Sequence, residues 1–201
     1  MSDILSGYAA ASAELINRFE AISSTDIFAP VRDLLPVAPA RVADIGAGTG
    51  RDAAWFAAQG HQVLAVEPVG ELRSAGMSLH QGSGVIWLDD RLPELCAARQ
   101  EPPFDVVTLC GVWQHLDEDE RAVAVQRLGE MTAKGGLIIL SLRHGLGAPS
   151  RHVFPISVEA LIARAQLEGL DVVRAVDAAS VQVGNQAAGV HWTWLVLKKV
   201  G

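Results

Sequence analysis

The sequence predicts an α/β protein built on a doubly wound, mostly parallel sheet of seven strands with helices on both faces. Three observations lead to this fold class. Strand-like apolar runs alternate with helical patterns from residue 41 onward, the connections between them are short, and a glycine-rich turn follows the first strand. Such alternation produces a parallel sheet covered on both faces. At 201 residues the chain can bury a substantial core. We expect residues 1–40 to form a helical cap and residues 41–201 the sheet domain, together one structural domain.

The first half of the sheet region consists of regular strand–helix units. The sequence RVADIGA (41–47) is typical of a strand, and the alanine-rich GRDAAWFAAQG (50–60) is typical of a helix that ends at its last glycine. A second strand, HQVLAVEP (61–68), is ended by a proline. A helix, ELRSAGMSL (71–79), and a short third strand, GVIWL (84–88), follow. These units are typical of the parallel half of a doubly wound sheet.

The second half ends differently. The continuous apolar run FDVVTLCG (104–111) indicates a strand buried on both faces. A helix with an acidic first turn over 117–132 and a fifth strand, GGLIILSL (135–142), come next. SVEALIARAQLEGL (157–170) carries both helix-capping signals. The strands DVVRAV (171–176) and HWTWLVLKKV (191–200) follow with no predicted helix between them. We therefore expect them to pair as a hairpin, with one strand antiparallel to the sheet.

Composition excludes several classes of function. The formal net charge is −7, whereas a nucleic-acid-binding surface needs a basic stripe. No apolar run reaches the roughly 18–20 residues that span a bilayer, so no membrane partner is expected. The N-terminal residues do not resemble a signal or transit peptide. Two isolated cysteines provide neither a disulfide framework nor a metal site. We expect a cytoplasmic protein, and both monomer and homodimer stay open.

The glycine-rich turn, DIGAGTGRD (44–52), favours one cofactor over another. Its glycines allow a tight turn and a close approach of backbone to ligand; they are Gly46, Gly48 and Gly50. A dinucleotide site expects G-x-G-x-x-G, but Arg51 occupies the position of the third glycine. Asp44 and Asp52 flank the turn, and carboxylates suit a cationic amino group and a sulfonium better than a pyrophosphate. The turn therefore favours S-adenosylmethionine.

Several motifs carry a family resemblance. VADIGAGTGRDAAWFAAQGHQVLAVEP resembles the first motif and second-strand acidic residue of the class I, Rossmann-like, S-adenosylmethionine-dependent methyltransferases. FDVVTLCGVWQHL resembles their fourth-strand motif. RLGEMTAKGGLIIL resembles the stretch before their fifth strand, although Ala133-Lys134 replaces the usual basic-proline pair. The resemblance covers roughly residues 8–200 and is greatest with small bacterial members that methylate small molecules.

The resemblance implies a cofactor site whose product would be S-adenosylhomocysteine. The glycines would line the methionine part, Asp44 would position its amino group, and Glu67 would bind the ribose hydroxyls, because a carboxylate offers two acceptors to a diol. Asp89 or Asp90 would contact the adenine amino group. The full predicted set is Asp44, Gly46, Ala47, Gly48, Gly50, Arg51, Asp52, Glu67, Pro68, Asp89, Asp90, Cys110 and Gly111.

The acceptor side is predicted from position and chemistry. The backbone of Cys110 and Gly111 should lie nearest the transferred methyl, and Trp113 could form a wall there. His115 is the candidate general base, because its ordinary pKa is near neutrality; a structural role capping the helix that follows is the alternative. A thiolate or amine acceptor would need no base.

Further residues are predicted to bind a small-molecule acceptor: Tyr8, Arg18, Trp113, His115 and Arg143. The segment RHGLGAPSRHVFP (143–155) holds two arginines and two histidines, which indicates either an anion-recognising patch or a solvated loop. Two alternatives to a methyltransferase stay open. They are a nicotinamide-dependent oxidoreductase and a non-catalytic protein that binds S-adenosylmethionine.

Overall fold

Seven strands form one sheet in the computed structural model, which describes residues 2–201. In chain order the strands are β1 (Arg41–Ile45), β2 (Gln62–Val66), β3 (Ile86–Leu88), β4 (Phe104–Cys110), β5 (Thr132–His144), β6 (Leu170–Ala179) and β7 (His191–Lys199). Their order across the sheet is β3-β2-β1-β4-β5-β7-β6. β7 runs antiparallel to β5 and β6, and the other pairings are parallel. The predicted fold class is confirmed.

The α-helices surround this sheet. They are α1 (Ser2–Ala10), α2 (Ser12–Glu20), α3 (Ser24–Ile27), α4 (Arg51–Ala58), α5 (Gly70–Leu79), α6 (Glu118–Met131), α7 (Val158–Leu167) and α8 (Val183–Ala187). Of the predicted cap, residue 1 lies outside the described part of the chain, and α1–α3 with a 3₁₀ turn (Ala29–Leu34) form the rest. No described helix has the length and apolar character needed to cross a membrane.

The connection between β6 and β7 differs from the sequence prediction. The two strands pair as a hairpin, as expected, but α8 lies between them. The five residues of α8 include none that is buried. A helix with no buried face leaves no apolar period in the sequence, which explains why it was missed.

The core lies on both faces of the sheet because side chains alternate along each strand. Ala43 packs in the cluster that holds Leu128 of α6 and Leu161 of α7. Its neighbour Val42 packs in the opposite cluster, with Phe56 of α4. A third, smaller cluster joins α2 to α5. The helices before β1 are therefore fixed against the sheet domain by apolar contacts.

Phe28 is the main apolar anchor of this N-terminal segment. Its side chain is fully buried. The ring stacks on Trp55 and makes edge or tilted contacts with Phe56 and Trp194, with ring centroids 5.3–5.6 Å apart. Phe28 thus joins the segment before β1 to α4 and β7.

Replacing Phe28 with alanine is expected to lower the free energy of unfolding by about 3–5 kcal/mol, because it leaves a cavity among three aromatic rings. Chemical denaturation measures this loss. Val37→Ala is the matched control, since the Val37 side chain is fully exposed. An equal, small effect for both variants would contradict the anchoring role.

Candidate functional site

A cavity of about 480 Å³ opens at the carboxyl ends of β1, β4 and β5, beneath the N-terminal helices. β1 pairs with β2 on one side and β4 on the other, so the strand order reverses at this point. Ligands of doubly wound sheets bind at such reversals. Most of the predicted site residues line the cavity: Tyr8, Arg18, Asp44, Gly46, Ala47, Gly48, Arg51, Asp52, Glu67, Pro68, Asp90, Cys110, Gly111, His115 and Arg143.

The glycine turn packs tightly enough to exclude side chains. Gly46 has a positive φ of 71°, and a Cβ there would lie 2.5 Å from Cγ2 of Val112. A Cβ on Gly50, which has φ 75°, would meet the Trp87 ring at the same distance. Gly50 is the predicted cofactor residue that shapes the turn without lining the cavity. The turn therefore requires glycine for conformation and for packing.

Four backbone N–H groups of the turn, those of residues 46–48 and 50, already donate within the protein. Those of Gly46 and Ala47 donate to the Val66 carbonyl at 2.8 and 3.0 Å. That of Gly48 donates to Oε2 of Glu67 at 2.8 Å, and that of Gly50 donates to the Ala47 carbonyl. A phosphate-binding turn aims such groups at its ligand. This turn presents carboxylates to the cavity instead.

Glu67 is a buried carboxylate at the end of β2. Oε2 accepts from Gly48 and Oε1 accepts from the Val69 N–H at 2.8 Å. Burial raises its pKa, while these two backbone hydrogen bonds act in the opposite direction. Each carboxylate oxygen can accept a further hydrogen bond. The side chain is thus fixed in place and can still bind a pair of hydroxyls.

Asp44 is the second buried carboxylate. Thr108, its register partner on β4, donates its hydroxyl to Oδ1 at 2.8 Å. Burial, and then the charge of Asp52, raise the pKa of Asp44 to about 7. Among the described residues no cationic side chain forms an ion pair with Asp44. A buried carboxylate without a cation partner fits a ligand ammonium group.

Arg51 and Asp52 line the cavity and are engaged with each other. Nε and Nη2 of Arg51 donate to the two Asp52 oxygens at 2.8 and 2.7 Å. Nη1 of Arg51 donates to the Phe19 carbonyl, and the Ser24 hydroxyl donates to Asp52. The pair therefore ties the glycine turn to the N-terminal helices. Thr49, which donates to Glu20, adds a third tie.

The two acidic residues after β3, Asp89 and Asp90, lie in different environments. Asp90 lines the cavity, and its carboxylate accepts from the backbone N–H groups of residues 91, 97 and 98. Asp89 is exposed, forms an ion pair with Arg73 at 2.7 Å, and does not line the cavity. Asp90 therefore stays the candidate for the adenine contact, while the predicted Asp89 lies outside the cavity.

Trp113 lies away from the cavity, which corrects its prediction as an acceptor wall. Its side chain is 1% exposed and packs in the main core cluster. Trp113 begins a 3₁₀ turn, Trp113–His115. With three residues per turn, the first and third side chains of such a turn point in different directions. His115 consequently faces the cavity while Trp113 faces the core.

Cys110 lines the cavity as a thiol. Burial raises its pKa well above the ordinary value, and the nearby carboxylates raise it further. A thiolate nucleophile is therefore disfavoured. The adjacent Gly111 N–H donates to the Ser141 hydroxyl at 2.9 Å.

His115 forms a hydrogen-bonded pair with Tyr8 of α1. The Tyr8 hydroxyl lies 2.8 Å from Nε2, and Nδ1 lies 2.8 Å from the His152 carbonyl. A carbonyl only accepts, so Nδ1 carries the proton and Nε2 accepts from Tyr8. Burial lowers the pKa of His115 and raises that of Tyr8, which keeps both side chains neutral near pH 7.

The start of α6 is capped without His115. Asp117 accepts from the Glu120 N–H at 2.9 Å, and the Glu120 side chain accepts from the Asp117 N–H. This capping box satisfies the helix terminus. The alternative role of His115 as a helix cap is therefore not what the structure shows.

Sequence reasoning missed several residues of the cavity. Gln114 and Arg151 are the clearest cases, and Gln114 donates to the Gly111 carbonyl. Arg151 lies in the basic loop after β5, and its guanidinium carbon stands 5.1 Å from the centre of the Tyr8 ring. Only the loop's composition hinted at this contact.

The fold and the site define a class I methyltransferase, with a glycine turn flanked by acids and a carboxylate that ends the second strand. The chain belongs to the methyltransferase domain family, whose model matches residues 16–175. The resemblance predicted from the sequence is thereby confirmed. A comparison with curated proteins found no significant match.

Solved structures share the fold. The 1,6-didemethyltoxoflavin-N1-methyltransferase of Burkholderia thailandensis, crystallised with its substrate and S-adenosylhomocysteine, is 20% identical with a TM-score of 0.76, over 100% of this chain and 88% of that one. A TehB-like methyltransferase of Corynebacterium glutamicum is 20% identical with a TM-score of 0.68, over 94% and 98%. The magnesium protoporphyrin IX methyltransferase of Synechocystis, with bound S-adenosylmethionine, is 15% identical with a TM-score of 0.64, over 98% and 82%. At these identities the likeness concerns the fold.

Proposed function

We propose that this protein transfers the methyl group of S-adenosylmethionine to a small-molecule acceptor. One observation carries the proposal: two buried carboxylates, Asp44 and Glu67, flank a glycine turn in which the N–H groups of residues 46–48 and 50 already donate within the protein. An ammonium group and a ribose diol suit these carboxylates. A pyrophosphate would face their negative charge.

Three acidic residues would each bind a different part of the cofactor. Asp44 would hold the amino group, Glu67 the ribose hydroxyls, and Asp90 the adenine side. When bound, the cofactor supplies a methyl group activated on a sulfonium. The hydrogen bonds of Arg51, Thr49 and Ser24 hold the N-terminal helices over this part of the cavity.

His115 and Tyr8 supply a route for a proton. Nε2 of His115 already accepts a hydrogen bond, and its lowered pKa keeps that nitrogen unprotonated near neutral pH. An acceptor hydroxyl or ammonium placed at this pair would pass a proton to Nε2, directly or through the Tyr8 hydroxyl. The proton on Nδ1 stays hydrogen-bonded to the His152 carbonyl, which fixes the ring.

Calorimetric titration with S-adenosylmethionine, S-adenosylhomocysteine and NADH in parallel tests the cofactor. Micromolar binding of the first two, with none for NADH, is expected. Binding of NADH alone would overturn the proposal in favour of an oxidoreductase. Release of S-adenosylhomocysteine in the presence of candidate acceptors separates an enzyme from a protein that only binds the cofactor.

Cofactor affinity should depend on pH through Asp44. Its pKa of about 7, raised chiefly by burial, lies above the ordinary value of 3.8, so the carboxylate form needed by an ammonium is lost as pH falls below 7. The Kd for S-adenosylhomocysteine should fall by about tenfold from pH 6 to pH 8, following the ionised fraction. Calorimetry at several pH values measures it.

Asp44→Asn should weaken binding and remove this dependence, whereas His115→Asn should retain it. A dependence that survives in Asp44→Asn would assign the titration to another group.

A further inference from the structure

We propose that the acceptor carries an oxyanion, a carboxylate or a phosphate, which binds between Arg18, Arg143 and Arg151. This inference rests on the proposed function and names the substrate class of the same site. It places the anion beside the Tyr8–His115 pair, so that the methylated atom and the anion belong to one small molecule.

The three arginines reach the cavity from separate parts of the chain. Arg18 is on α2, Arg143 is near the end of β5, and Arg151 is in the loop that follows. Each side chain is steadied by a neutral group. Nε of Arg18 donates to Gln182 at 3.0 Å, Nη1 of Arg143 donates to the Gly145 carbonyl at 3.1 Å, and Arg151 lies over the Tyr8 ring.

None of the three forms an ion pair with a carboxylate among residues 2–201. Eight other arginines do: Arg41, Arg51, Arg73, Arg99, Arg121, Arg127, Arg164 and Arg174. The protein has a net charge of −7, so carboxylates are plentiful. Three uncompensated positive charges in one cavity are therefore a local feature that a bound anion would neutralise.

The arginines also act on one another electrostatically. Burial lowers the pKa of Arg143, and the positive charges of Arg18 and Arg151 lower it further. The same three arginines oppose the effect of burial on the pKa of Tyr8. Like charges that line one cavity repel, and an anion between them would relieve the repulsion.

Charge divides the cavity into two ends. Asp44 is near the end of β1, and Glu67 and Asp90 follow β2 and β3, whereas Arg143 is on β5, beyond β4. Among the described residues, Arg91 also lines the cavity without an ion pair, but it follows β3, and three strands lie between β3 and β5. The acidic end suits the proposed cofactor, and the basic end is left for the acceptor. Guanidinium groups bind carboxylate and phosphate through paired hydrogen bonds.

The test is an NMR titration of the ¹⁵N-labelled full chain, saturated with S-adenosylhomocysteine, with sodium phosphate and separately with sodium acetate at constant ionic strength. We expect saturable shifts in the amides of residues 143–153. Arg143→Gln and Arg151→Gln should each weaken binding of the preferred anion by about tenfold, the usual effect of losing a charge-assisted hydrogen bond. Tighter binding of phosphate would identify the acceptor group as a phosphate, and tighter binding of acetate would identify it as a carboxylate.

Arg32→Gln is the matched control, because Arg32 is exposed and lies outside the cavity. It removes the same charge and should leave anion binding unchanged. Arg18→Gln changes an exposed side chain and provides a third variant if either loop substitution impairs folding. Unchanged affinity for S-adenosylhomocysteine shows that a variant is intact.

Two failures can be distinguished. If S-adenosylhomocysteine binds but both anions cause only uniform shifts, equal in the wild type and in Arg143→Gln, the inference is overturned and the proposed function stands. If S-adenosylhomocysteine itself does not bind, the proposed function fails first.

Discussion

Replacing His115 with asparagine is expected to lower kcat by about a hundredfold to ten-thousandfold, the usual contribution of a positioned general base. The asparagine amide can still donate to the His152 carbonyl, so the turn should keep its shape. The Kd for S-adenosylhomocysteine should change by less than about twofold, since no predicted cofactor contact is lost. Steady-state kinetics with an acceptor found by screening, together with calorimetry, measure both quantities.

The pH profile adds a second readout for His115. Because burial lowers its pKa, the acidic limb of kcat/KM should lie below pH 6.5 in the wild type. Tyr8→Phe keeps the ring beneath Arg151 and removes only the hydroxyl. This variant should shift the acidic limb and reduce kcat less than His115→Asn does. Full activity of His115→Asn would mean that the acceptor reacts without a base.

Replacing Glu67 with alanine is expected to weaken S-adenosylhomocysteine binding by about 3 kcal/mol, on the order of a hundredfold in Kd. Two effects combine. The ribose hydroxyls lose their acceptors, and the N–H groups of Gly48 and Val69 lose the carboxylate that fixes the turn. Calorimetric titration measures the change, and thermal unfolding of the free protein reports on the turn separately.

Asp89→Asn is the matched control for Glu67. It removes a carboxylate charge near the same strand ends, but Asp89 is exposed and outside the cavity. We expect its effect on the Kd to be within about twofold, as for surface substitutions in general. An unchanged Kd for Glu67→Ala would remove that residue from the ribose role.

The sequence was most informative where local pattern and chemistry coincide. Continuous apolar runs, separated by helical patterns, predicted the strands and their order of appearance, because burial on two faces leaves such runs. Asp44 and Glu67 could be assigned because each ends a strand at the sheet edge where ligands bind. Both line the cavity, while their contacts with a cofactor stay predictions.

Contacts between distant segments of the chain could not be predicted from the sequence. Tyr8 and His115 are 107 residues apart, and no local pattern encodes their hydrogen bond. Trp113 was misplaced because a 3₁₀ turn, rather than an extended strand end, sets the direction of its side chain. The approach of Arg151 to Tyr8 depends on the path of a long loop, which composition does not specify.

The ties between the glycine turn and the N-terminal helices bear on the order of events in turnover. Arg51 donates a hydrogen bond to the Phe19 carbonyl, and Asp52 accepts one from the Ser24 hydroxyl. Tyr8 on α1 is hydrogen-bonded to His115. Under the proposed function, opening the helices to exchange product for fresh cofactor also separates Tyr8 from His115. The Tyr8–His115 pair would then form again in each cycle, when the helices close.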